Sequence, residues 1–175
     1  MLKVDLGQLA RQKRRQIDAS VPAGDALFQG VAFELHGPLQ VQLEAQQAGH
    51  DVLVRGTLSG EAELPCRRCL TEVGVPIREQ VALLFREGVS EADAEDAEIY
   101  PLPEKGHEID LTHALHEHLV LAVPEFVICR EACRGLCPSC GANLNETTCN
   151  CEPTAVDHRW AALLQLKGKD KDGGT

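Results

Sequence analysis

Leu39-Gln40-Val41-Gln42-Leu43 opens the stretch 39–64, in which apolar side chains recur on alternate residues until glycines interrupt them. A period of two marks a strand with one buried face. Gly37-Pro38 is a turn before it, and upstream of that turn Val31, Phe33 and Leu35 alternate with polar neighbours. Beyond Ala48-Gly49-His50, Val52-Leu53-Val54 and Thr57–Leu64 extend the pattern. Val73–Ile77 and Val81–Phe85 then complete about six short strands. Connections this tight require antiparallel pairing, so the spacing predicts an α+β fold built on an antiparallel β meander or a partly open barrel. Pro76 predicts an edge strand or a bulge at its position.

Helices are expected on the flanks. Leu2, Leu6, Leu9 and Ile17 fall near helical spacing and predict a basic amphipathic helix over residues 5–17. Asp110 is a suitable N-cap for a helix over 111–123 that stops before Pro124, with Leu111, Leu115, Leu119 and Ala122 as its buried stripe. A last helix is expected from Asp157, anchored by Trp160, Leu163 and Leu164. The predicted organisation is a basic helical segment over 1–24 and a β domain over 25–123, with an acidic loop at 87–106. A Cys-rich module and closing helix follow over 124–166, then a polar tail over 167–175.

Eight cysteines occur as four close pairs: Cys66/Cys69, Cys129/Cys133, Cys137/Cys140 and Cys149/Cys151. Thiolates two or three residues apart suit a tetrahedral metal, and eight suffice for two closed four-thiolate zinc sites. Cys137-Pro138-Ser139-Cys140-Gly141 has the form of a zinc knuckle, with a glycine after the second ligand. The expected cofactor is therefore Zn2+, two ions, held by a C-terminal zinc-knuckle module and by the pair Cys66/Cys69 at a hairpin tip. A disulfide framework is the alternative. It belongs to oxidising compartments, and the opening Met1-Leu2-Lys3-Val4-Asp5-Leu6 carries no apolar run of signal-peptide length. A cytoplasmic, membrane-free protein is the expectation.

Several partitions of the ligands remain open. Only eight residues separate Cys140 from Cys149, so a local site from the last two pairs closes at little entropic cost. That leaves Cys66/Cys69 to meet Cys129/Cys133 across a longer loop. Joining Cys66/Cys69 to Cys137/Cys140 is the competing arrangement, and the tight Cys149-Asn150-Cys151 spacing leaves room for one spectator. Four ligands close a site to water, so these sites are expected to be structural. The segment His116-Glu117-His118-Leu119-Val120 lacks the second histidine of a zinc protease, and no phosphate loop or nucleophile–base pair is visible. The chain is expected not to be an enzyme.

The net charge of −10 argues against non-specific coating of nucleic acid, but the charge is segregated. Six of those negative charges lie in residues 87–98, whereas Lys3, Arg11, Lys13, Arg14 and Arg15 face one acid, Asp5, at the start. Arg67, Arg68, Arg130 and Arg134 lie inside or beside ligand pairs. They either offset thiolate charge or contact phosphate. With Arg14 and Arg15 they form the candidate nucleic-acid-binding set.

The motifs Cys66-Arg67-Arg68-Cys69-Leu70, Ile109-Asp110-Leu111, the block Cys129–Leu144 and the later Asp157-His158-Arg159-Trp160 together resemble the YceD family. The resemblance runs from about residue 25 to 166. It implies a role in accumulation of large-subunit ribosomal RNA and hence in ribosome biogenesis. The expected function is a non-enzymatic, zinc-stabilised factor that binds large-subunit ribosomal RNA or a pre-ribosomal particle. The alternative is a protein-binding adaptor for a ribosomal protein or an RNA-processing enzyme, without RNA contact of its own.

Overall fold

The computed structural model describes residues 2–89, 99–103 and 106–151. In chain order the elements are β1 (Lys3–Asp5), α1 (Leu6–Gln12), β2 (Arg14–Val21), a 3-10 turn (Ala26–Phe28), β3 (Glu34–Leu35), β4 (Leu39–Ala48), β5 (Asp51–Pro65), β6 (Glu72–Arg86), β7 (Ile99–Pro101), β8 (Glu108–Asp110) and α2 (Thr112–Ala122). Two compact units form: the chain up to Cys66 with Thr71–Cys129, and Arg67–Leu70 with the chain from Arg130.

The first unit is built on a sheet in the order β2-β4-β5-β6-β7, with β3 added beside β5. Among the described residues its two outer strands do not meet. The sheet is therefore open, which corrects the barrel alternative while keeping the β4–β5–β6 meander. The predicted pieces 52–54 and 57–64 are one strand, as are 73–77 and 81–85. Those two long strands pair over their full lengths, from Val52 opposite Phe85 to Pro65 opposite Glu72. Gly56 reads as a break but serves close approach: a β-carbon there would collide with the Gln42 carbonyl oxygen and lie 2.7 Å from the Leu43 α-carbon. Pro76 sits in unbroken register opposite Glu61. The other side of β6 is paired, among the described residues, only at Leu84–Arg86, so Pro76 lies on an edge without a bulge.

The basic N-terminal segment differs from its prediction. The helix ends at Gln12 because Lys13 adopts a left-handed backbone (φ 64°) and donates its N–H to the Leu9 carbonyl. Arg14–Val21 then pairs antiparallel with β4, from Arg14 opposite Gln46 to Val21 opposite Leu39. Ile17 and Val21 are buried on the inner face as strand residues, not as a helical stripe. Arg14–Val21 is thus a strand of the main sheet, while Lys3–Asp5 pairs with β8 in a separate two-stranded sheet.

Leu39, Val41, Leu43, Val54, Leu58, Val81 and Leu83 line the inner face and are buried together with Leu27, Leu111, Leu115 and Leu119. Each such side chain contributes about 1.5–3 kcal/mol. Helix α2 packs on β6 and on the 3-10 turn. Nδ1 of His116 lies 2.8 Å from the Leu27 carbonyl oxygen, which requires the proton on that nitrogen. The N-cap position falls on Leu111, one residue beyond the predicted Asp110, and carries no side-chain cap bond; Asp110, just before it, accepts the Thr112 N–H at 2.9 Å. Within the predicted acidic loop, Ile99–Pro101 joins the sheet as β7, parallel to β6, and Tyr100 stacks against Phe85. The rest of that loop's acidic run, the closing helix with Trp160, and the tail lie outside the described residues.

Candidate metal centres

The hairpin turn from β5 to β6 is the loop Cys66–Thr71, closed by the Cys66 N–H donating to the Thr71 carbonyl at 2.9 Å. The loop at Cys137 is built alike. Its Cys137 N–H donates to the Ala142 carbonyl at 2.8 Å, again five residues on. In both loops the residue after the second cysteine is left-handed: Gly141 at φ 72° and Leu70 at φ 60°. A glycine meets that demand without strain, whereas a leucine does not. Leu70 is also 62% exposed, so burial does not compensate.

The thiols gather into two quartets. The sulfurs of Cys66, Cys69, Cys129 and Cys133 lie within 4.8 Å of one another, and so do those of Cys137, Cys140, Cys149 and Cys151. This is the local-pair partition preferred from loop lengths, and no cysteine is left as a spectator. Four sulfurs around zinc at about 2.3 Å stand roughly 3.8 Å apart, so each quartet is near the required tetrahedron. The donor chemistry also fits, since four thiolates select zinc or iron–sulfur centres over hard cations.

Hydrogen bonds to sulfur complete the first quartet. Cys129 N–H donates to Cys66 Sγ at 3.3 Å, and Asn145 Nδ2 donates to Cys133 Sγ at 3.4 Å. Asn145 also accepts the Arg134 N–H at 2.8 Å and donates to Asn143 Oδ1. Such outer partners fix a ligand's orientation and offset thiolate charge. Nothing in the spacing of Asn145 marks a bond to a sulfur twelve residues away.

In the second quartet the N–H groups of Cys140 and Ser139 point at Cys137 and hold its thiol down to about 6. Its neighbours respond in the opposite sense. A hydrogen bond shared with Cys140 is the main reason that Cys151 is pushed up to about 12, and one shared with Cys137 raises Cys149. Four crowded thiols resist ionising together, and a divalent cation is what brings such a set to thiolates.

The arginines divide. Arg67, Arg68, Arg130 and Arg134 all belong to the second compact unit, and each adjoins a cysteine of the first quartet. Arg68 is committed internally. Its guanidinium donates to the carbonyls of Cys133 at 3.1 Å and Glu131 at 3.4 Å, while its own carbonyl accepts the Leu136 N–H. Gly135 makes that approach possible, since a β-carbon there would lie 2.9 Å from the Arg68 carbonyl oxygen. Arg67, Arg130 and Arg134 are exposed. Arg14 and Arg15 lie on β2 in the first unit, where Arg14 pairs with Glu44 at 3.8 Å and Arg15 hydrogen-bonds Gln8. No basic residue adjoins any cysteine of the second quartet. Among the histidines of α2, His113 meets Glu117 and His118 meets Glu79. None joins a quartet.

Among the described residues no helix is long and apolar enough to cross a membrane. No solved structure matches the chain significantly. An uncharacterized protein of Mycobacterium tuberculosis is 30% identical over 150 residues, covering 81% of this chain and 68% of its own. A maize protein named large ribosomal RNA subunit accumulation protein YCED homolog 1, chloroplastic, is 24% identical over 95% of this chain and 65% of its own. YlbN of Bacillus subtilis, also uncharacterized, is 29% identical over 77% of each chain. The family description "Large ribosomal RNA subunit accumulation protein YceD" matches residues 54–167, which span both quartets and the arginines beside them, and the chain belongs to that family.

Proposed function

We propose that this chain is a non-enzymatic, zinc-stabilised factor in large-subunit ribosomal RNA accumulation that contacts RNA through the arginines around its first cysteine quartet. The names of the family and of its plant relatives support a ribosome-related role. The observation that carries the RNA contact is the one-to-one pairing of Arg67, Arg68, Arg130 and Arg134 with Cys66, Cys69, Cys129 and Cys133. Adjacent α-carbons are about 3.8 Å apart, so one metal-held cluster would fix four cations together. Four thiolates and a divalent ion carry a net −2, which four guanidinium groups more than offset. The second quartet has no such surplus, and its role in this reading is to fold the chain around it.

Filter binding of zinc-loaded protein to large-subunit ribosomal RNA fragments across a salt series tests the reading. Binding should weaken steeply with salt. Replacing Arg67, Arg130 and Arg134 by Ala should weaken it across all fragments and lower the logarithmic salt slope by about 2, at roughly 0.7 per single-strand phosphate contact. No RNA binding at low salt, or a slope unchanged in the triple variant, would refute direct contact at this site.

A further inference from the structure

On the first unit, and independent of the RNA reading, β3 pairs with β5 only at Glu34–Glu63 and Leu35–Ala62. The ladder stops where Pro65, which has no N–H to donate, approaches the end of β5. Residues Val31–Phe33 part from it there and leave a cleft of about 480 Å3 lined by Val31, Phe33, Pro65, Glu34, Glu63 and Glu72. A second hollow of about 410 Å3 shares Val31, Phe33 and Glu34 and continues towards Phe28. Val31 and Phe33 are half-buried, and the three glutamates are exposed.

The carboxylates are arranged against the stability of the sheet. Glu34 stands directly opposite Glu63, and like charges in that position are destabilising. Glu72 lies across from Pro65 at the same end of the ribbon. Glu108, Glu44, Asp51, Glu117 and Glu79 form ion pairs, and none of those pairs includes these three. Nor do the three carboxylates converge as one cation would require: among the described residues only the cysteine quartets bring potential ligands together. Three separate negative charges beside the half-buried Val31 and Phe33 match several separate positive charges carried by one chain. Phosphate-bearing ligands are repelled.

We infer that this cleft binds a basic, extended polypeptide segment of a partner protein, whose lysines or arginines meet Glu34, Glu63 and Glu72 while an apolar side chain rests on Val31 and Phe33. Fluorescence polarisation of the full-length, zinc-loaded protein with a labelled peptide of alternating lysine and valine tests it. Binding should be saturable and salt-sensitive. It should fall about tenfold in the Glu34→Gln/Glu63→Gln/Glu72→Gln variant, the sum of three exposed charge contacts. It should also fall in Phe33→Ser, and remain unchanged in Arg67→Ala/Arg130→Ala. A thermal melt of the triple Gln variant no lower than the parent's separates this loss from misfolding. Retained affinity in the triple variant would place the peptide on other acidic residues and overturn the inference. So would loss in the triple variant with Phe33→Ser unaffected, or no binding at low salt. A drop in RNA affinity in the triple Gln variant would overturn it too, because removing carboxylates can only help a phosphate ligand.

Discussion

Two residues at equivalent places in the Cys-x-x-Cys loops carry opposite strain. Leu70 and Gly141 both follow a second cysteine with positive φ, and only one of them is a glycine. Left-handed backbone costs an ordinary residue about 1–2 kcal/mol, while glycine loses about 0.4–1 kcal/mol of extra chain entropy on folding. Leu70→Gly should therefore range from neutral to about 1 kcal/mol more stable. Gly141→Ala should be about 1 kcal/mol less stable. Chemical denaturation of the zinc-loaded variants checks the pair, and a shift of both in the same direction would contradict equivalent backbone roles. Gly141 was legible in the sequence as a turn glycine after the second cysteine. Leu70 was not, because side-chain identity hid a conformation that the ligands on either side impose.

At the scale of elements, Asp110 controls the start of α2. Burial raises its carboxyl, but the hydrogen bonds from Thr112 and the charge of Lys3 outweigh it, leaving the group below its ordinary value. A carboxylate lowered in this way contributes stability that is complete above the unfolded value near about 3.9 and is lost as pH falls through the folded one. Asp110→Ala should cost about 1 kcal/mol at neutral pH, as loss of a hydrogen bond to a helix's first N–H does, and the deficit should shrink in acid. Denaturation midpoints at neutral and acid pH measure it; a deficit that does not change with pH would remove the carboxylate from the account. The buried stripe of α2 could be read from residue types because it is local, whereas the N-cap falls on Leu111, one residue after the polar residue that the sequence offers. The end of α1 could not. Ile17 satisfies a helical and a two-residue period alike, and the break falls on Lys13, a residue with no preference for turning. Strand β5 reads as fragments because Gly56 resembles an interruption, whereas it is demanded by the backbone across from it.

At the scale of the whole molecule, the grouping of the eight thiols into two quartets was legible and their division followed from loop lengths, since proximity in sequence dominates closure entropy. The cleft beside β3 was not legible, because it arises where a ladder ends and joins residues from three strands. The native division nevertheless competes with a nearer one. Cys129, Cys133, Cys137 and Cys140 span twelve residues, whereas the native first quartet needs Cys66 and Cys69 from across the hairpin and α2. In an unfolded chain the four consecutive thiols would capture zinc before the sheet has formed. Refolding with zinc present from the start should then pass through a misligated species and proceed more slowly than refolding with zinc added late. Stopped-flow fluorescence with a chelator jump measures the difference, and equal rates would mean that no such capture occurs. If the quartets hold zinc, the timing of metal delivery would thus decide how much protein reaches the folded state.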